Sequence, residues 1–246
     1  MPLLLARLSR LLPILFLASC SAAAGGAGEP GLAYEAHQEP AAIIEALEAR
    51  LLAEPVHLRY RVISSGAFTA ELDGMLNLSA HASQLSANGT FGDSPVSLHL
   101  AADSDSMRIE SPQGAKSEST PPRLRESLAI GLVRMGVLHN LARLTGGSAP
   151  DRAGGGVREW VELREIRADT TVAPHIDWVG VRFDIHVSGT RTAEAVLWIH
   201  RTTGVPVRRE QVVSFPGGSM SVVEEYDIRW ASSRSEAGGQ QVRHGR

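Results

Sequence analysis

The sequence lacks most of what catalysis, redox exchange and nucleic-acid binding are built from. Cys20 is the only cysteine in 246 residues, and a lone thiol cannot form a disulfide within its own chain. The formal net charge is −3 with both signs interspersed. No basic patch argues for nucleic acid, and no acidic block argues for a basic partner. No stretch after residue 20 is long and apolar enough to cross a bilayer, and the run before it is too short to span about 30 Å of hydrocarbon. G-x-S-x-G, S-x-x-K, H-E-x-x-H and a phosphate-binding glycine loop are all missing. Nucleophilic catalysis therefore has no evident nucleophile beside a base, and a non-enzymatic role with no cofactor is expected.

What is present begins at the N-terminus. Arg7 and Arg10 precede the apolar run Leu11-Leu12-Pro13-Ile14-Leu15-Phe16, and Leu17-Ala18-Ser19-Cys20 follows it. That is the layout of a secretory signal. The last four residues resemble a bacterial lipobox, which implies that Cys20 is acylated and becomes the membrane anchor. Residues 1–19 are then the signal and 20–40 a flexible Ala-, Gly- and Pro-rich tether. The other reading is an ordinary signal cleaved at Ser21-Ala22-Ala23-Ala24. Ser21 rather than Asp after the cysteine implies, by similarity to enterobacterial sorting, the outer membrane with the body facing the periplasm. The sequons at Asn77 and Asn88 are read as chance.

One folded unit is expected over residues 41–230, with a disordered tail over 231–246. Its opening helix carries Ile43, Ile44, Leu47, Leu51 and Leu52 at helical spacing between Pro40 and Pro55. Strands of period two follow. Leu58, Tyr60 and Val62 form one set, and Phe68, Ala70, Leu72, Leu76 and Leu78 another. Three more are centred on Leu85, on Leu98 and on Met107 with Ile109. A helix is expected from Pro121 to Leu144. At 100° per residue, Leu124, Leu128, Leu132, Met135 and Leu138 fall on one side. Ile130, Val133, Val137, Leu141 and Leu144 fall nearly opposite. A helix with two apolar sides is covered on both, either inside the core or between sheet and ligand. After a loop at 149–156, five more strands run from about Val157 to Trp230 and end in a meander.

Candidate chemistry is sparse. His175-Ile176-Asp177 offers two ligands at i, i+2, short of the three or four that a metal needs, so none is assigned. Glu194, Glu210, Glu224, Glu225 and Asp227, with Arg201, Arg208 and Arg209, read as cross-strand ion pairs on a solvated face.

The segment Leu197–Gln211, LWIHRTTGVPVRREQ, resembles the W-[IV]-D-x-x-T-G-L-P-x-[KR] hairpin of LolA-like proteins, with His200 where Asp is common. Phe215-Pro216-Gly217-Gly218-Ser219-Met220 and Tyr226 fit the same region. The resemblance implies an α+β fold, a half-open antiparallel β-barrel of about ten strands with an N-terminal helix and a central helical lid. It also implies an apolar cavity for an acyl chain of a lipid or lipoprotein. Residues expected to line it are Leu58, Tyr60, Val62, Phe68, Leu72, Leu76, Leu98, Leu124, Leu128, Leu132, Met135 and Leu138. Two other readings stand beside it. One is a structural or interaction lipoprotein with a filled core. The other is a hydrolase whose catalytic residues converge only in three dimensions.

Overall fold

The computed structural model of the protein describes residues 39–146 and 156–230. The expected signal, Cys20 with nearly all of its tether, most of the 149–156 loop and the 231–246 tail lie outside the described residues. Helix α1 is Pro40–Ala53, followed by strands β1 (Val56–Gly66), β2 (Ala70–Leu78), β3 (Ser83–Phe91), β4 (Ser94–Ala102), β5 (Ser106–Ser111) and β6 (Gly114–Ser119). Helices α2 (Leu124–Met135), α3 (Val137–Gly146) and the single turn α4 (Val157–Trp160) come next. Strands β7 (Val161–Ala168), β8 (Trp178–Val187), β9 (Thr190–His200), β10 (Pro206–Phe215) and β11 (Gly218–Trp230) complete the chain.

All eleven strands form one antiparallel sheet, ordered β6-β5-β4-β3-β2-β1-β11-β10-β9-β8-β7. It does not close, so β6 and β7 are its edges. The alternation in the sequence becomes two faces. Val56, Leu58, Tyr60 and Val62 of β1 point inward, in register with Leu78, Leu76, Gly74 and Leu72 of β2. Met220, Val222, Tyr226 and Ile228 of β11 are buried on the same face. The helices cover this inner face, and one continuous apolar core lies beneath them. Each fully buried leucine there contributes about 2 kcal/mol.

Three local expectations change. The helix expected over 121–144 is two helices. Gly136 interrupts it at φ 83°, and α3 folds back along α2. Asn140 donates to the Leu128 carbonyl at 3.1 Å, and Arg143 to that of Ser127 at 3.1 Å. Both apolar sides are already present on α2, where Leu124, Leu128 and Leu132 and, nearly opposite, Ile130 and Val133 are all buried, so this helix is covered on both sides. The strand expected from Val157 begins with the helical turn α4. Finally, β6 was not expected, because Gly-Ala-Lys-Ser-Glu-Ser has no apolar alternation to read.

Candidate functional site

The space between the sheet and the α2–α3 hairpin is where the sequence placed an apolar site. Eleven of the twelve expected lining residues belong to the buried apolar core, and Phe68 packs against it. Leu58, Val62 and Leu128 are fully buried, and Tyr60, Leu72, Leu76, Leu98, Leu124, Leu132, Met135 and Leu138 nearly so. Phe68 differs. It is half-buried at the turn end of the sheet, its ring centroid 5.3 Å from that of Phe215 and 6.1 Å from that of Phe91. Side chains pack this space. Two shallow pockets lie elsewhere. One of about 280 Å³ lies beside Pro55, His57 and Gln84, and one of about 290 Å³ lies between α1 and β7. Neither borders any of the twelve.

Polar contacts hold the hairpin on this apolar bed. Arg209 of β10 and Glu224 of β11 are cross-strand partners, and both are essentially inaccessible to solvent. They address the two sides of the break at Gly136. Arg209 donates to the carbonyls of Val133 at 2.6 Å and Arg134 at 3.1 Å, the C-terminal end of α2. Glu224 accepts from the backbone N–H of Val137 at 2.8 Å and Leu138 at 3.0 Å, the N-terminal end of α3. A helix carries partial negative charge at its C-terminus and partial positive charge at its N-terminus, with unpaired carbonyls and amides there. The cation and the anion therefore each face the end they complement. The backbone passes so close that a Cβ on residue 136 would lie 2.7 Å from the Glu224 carboxylate, so glycine is needed for contact as well as for φ.

Neighbours complete the clasp. Gln211 accepts from Arg209 Nε at 2.9 Å, and the Tyr226 hydroxyl donates to Glu224. Burial, with the Glu224 charge nearby, pushes the Tyr226 and Tyr60 hydroxyls far above the usual phenol range. Burial lowers the Arg209 guanidinium from its ordinary value. His139 of α3 is half-buried with an enclosed Nδ1. Burial and then the Arg209 charge push its pKa down to about 4.

Two further arginines tether α2. Arg134 donates to the buried Glu48 of α1 at 2.7 Å and to the Val161 carbonyl at 2.6 Å, and Arg158 of α4 reaches the same Glu48 at 2.8 Å. Arg125 donates to the carbonyls of Leu51, Leu52 and Glu54, which end α1, and to that of Ser79.

The sequence reading placed Arg209 and Glu224 on a solvated face, and the structure corrects this. Their companions do behave as surface pairs. Arg208 meets Glu210 at 2.8 Å and Glu225 at 3.3 Å, and Arg229 meets Asp227 at 3.4 Å. Residue parity was the available signal, because Glu224 shares the face of Val222 and Tyr226. His175 and Asp177 lie 3.6 Å apart in an exposed loop. Among the described residues no group of three His, Cys, Asp or Glu is placed to hold a metal.

The arrangement is a packed apolar core under a helical hairpin, with a buried cation and anion at the break between its two helices. No protein-family model matches the chain, and no curated protein matches it significantly. Solved structures similar to it include LprF from Mycobacterium bovis, at 12% identity over 78% of this chain and 93% of that one, TM-score 0.38. MucB is similar at 12% identity, with 80% of this chain and 60% of that one covered and the same score. A LolA superfamily protein from Nitrosomonas europaea is similar at 9% identity, 79% and 94% coverage and a TM-score of 0.31. Likenesses at this level decide nothing about what the chain binds, and the reading below rests on its own residues.

Proposed function

We propose that this chain is a non-catalytic envelope lipoprotein, anchored through acylated Cys20, that takes an acyl chain between the inner face of its sheet and the α2–α3 hairpin. The described arrangement is then the closed state. Uptake requires the hairpin to swing about Gly136, and apolar desolvation of the chain drives binding. The observation that carries this reading is the use of two buried charges on the backbone ends of a single hinge. Apolar replacements of buried ion pairs are commonly neutral or stabilising by about 1–4 kcal/mol, but here they would also leave helix-end carbonyls and amides unpaired, so the two charges hold the hairpin in this one position. Buried ionic contacts do select one arrangement of an otherwise unspecific apolar interface, which is what a cover with two positions requires.

Titration with a fluorescent fatty acid, alongside native mass spectrometry, tests this. Saturable uptake is expected, and it becomes faster in Arg209→Met with Glu224→Leu, where the clasp is gone and the fold is retained. Silence in both proteins overturns it. Loss of metabolic palmitate labelling in Cys20→Ala is the expected result for the anchor.

A second reading is favoured by the dense packing around Leu58, Val62 and Leu128. Here the protein is an interaction lipoprotein that works through its outer surface. It predicts no acyl uptake in either protein.

A further inference from the structure

The two edges of the sheet are finished differently. β7 is blunted. Its register breaks between Arg164 and Arg167, where Glu165 adopts φ 51°, and Arg134 takes its Val161 carbonyl. Bulges and covered edges of this kind prevent further strand pairing. β6 has neither device. It pairs with β5 on one side, and no described strand pairs with the other. All of its residues but Glu118 are exposed.

The direction of its free backbone groups follows from the ladder. Ser111 and Gly114 pair across a two-residue turn, and Thr120 N–H donates to the Asp105 carbonyl at 3.1 Å. Antiparallel pairs alternate, so the even-numbered residues of β6 bond to β5. The N–H and C=O groups of Ala115, Ser117 and Ser119 point away from the sheet.

Along this edge the sequence reads Ala115-Lys116-Ser117-Glu118-Ser119, and reversed about Ser117 it complements itself in charge. We propose that β6 pairs antiparallel with β6 of a second copy of this chain, about a two-fold axis at Ser117. Ser117 then faces the partner's Ser117, and Ala115 faces the partner's Ser119. All of these are outward-pointing positions, giving about six backbone hydrogen bonds. Lys116 falls opposite the partner's Glu118 at a non-hydrogen-bonded site, where side chains approach most closely. Lys116 and Glu118 already meet at 2.6 Å within one chain, so the dimer carries a ring of four alternating charges. The contact is isologous, as a two-fold dimer requires. A ribbon this short buries less than the roughly 1,200 Å² of a stable complex, so association is weak and driven by concentration.

Sedimentation equilibrium of the purified protein across a wide concentration range tests this. A monomer–dimer equilibrium is expected. Ser117→Pro removes an N–H that the β5 ladder does not use, and it weakens the dimer by about tenfold or more while leaving the circular dichroism unchanged. Lys116→Glu sets like charges opposite one another and weakens it similarly, and adding Glu118→Lys restores it. Three results would overturn the proposal. They are a monomer at every concentration, a dimer indifferent to Ser117→Pro, and amides of 115, 117 and 119 protected from exchange at every dilution. The last would mean that the chain covers its own edge.

Discussion

Under the same helical hairpin, the two halves of the sheet offer different chemistry. Strands β1 to β4 present Leu58, Val62, Leu72, Leu76, Leu85, Leu98 and Leu100. Strands β10 and β11 present Arg209, Gln211, Glu224 and Tyr226 on the same inner face. The apolar half attracts any greasy surface and discriminates little among arrangements. The charged half accepts one arrangement, because each charge fits one helix end at hydrogen-bond distance. Burial and registration are thus separated across the middle of the sheet, so the position of the hairpin depends on the charged half more than on the apolar one.

The largest expected effect comes from breaking the charged half unevenly. Glu224→Ala leaves Arg209 buried without its counter-charge and strips the α3 amides, and is expected to cost about 3–5 kcal/mol in urea unfolding. Arg209→Met combined with Glu224→Leu leaves no unpaired charge but strips the helix-end amides and carbonyls, and it should cost less than the sum of the two single variants. A double variant as unstable as the sum of its singles would break the comparison.

On the apolar half, Leu72→Ala is expected to lose about 2–4 kcal/mol through the cavity it leaves, with no partner substitution able to rescue it. Gly136→Ala should cost about 1–3 kcal/mol, since it combines an unfavourable φ with crowding against Glu224.

Acid sharpens the contrast further. The folded pKa of His139 lies near 4, below the ordinary value of 6.5, so the unfolded chain binds the extra proton first. Stability contributed by neutral His139 is complete above about pH 6.5 and is lost as pH falls toward 4. His139→Phe should flatten that limb of a stability–pH curve. Asp184, held below the ordinary carboxylate range by its hydrogen bond from Arg191, adds its loss at lower pH still. The smallest effect belongs to the outer face. Arg208→Ala breaks two partly exposed pairs and should change stability by less than about 1 kcal/mol, less again in high salt.

Much of this was legible in residue order. Period-two runs such as Leu58-Tyr60-Val62 announce one-sided strands, and Pro40, Pro55 and the Thr203-Gly204 turn mark ends that the structure keeps. Other features depend on distant partners. A single glycine within a helical pattern costs only about 1 kcal/mol, so Gly136 alone does not announce a break. The break needs Glu224, 88 residues later, to receive the new helix end. β6 escaped because an exposed edge strand has no buried side to impose alternation. Arg209 and Glu224 escaped because charge outweighed parity in the reading of β10 and β11. Eleven of the twelve apolar residues are buried because burial selects composition directly, and Phe68, at the turn end of the sheet, is only half-buried.

The first and last strands of the chain are neighbours. β1 lies against β11, with Val56 opposite Trp230 and Gly66 opposite Met220. A polypeptide folding as it appears in N-to-C order therefore lacks its central seam until the final strand arrives. Until then β1 offers an unzipped border in the middle of the future sheet, and contacts so remote in sequence form slowly. Maturation of this molecule is consequently a race between its own β11 and any foreign strand that reaches β1 first, and truncation near residue 220 should make the chain aggregate.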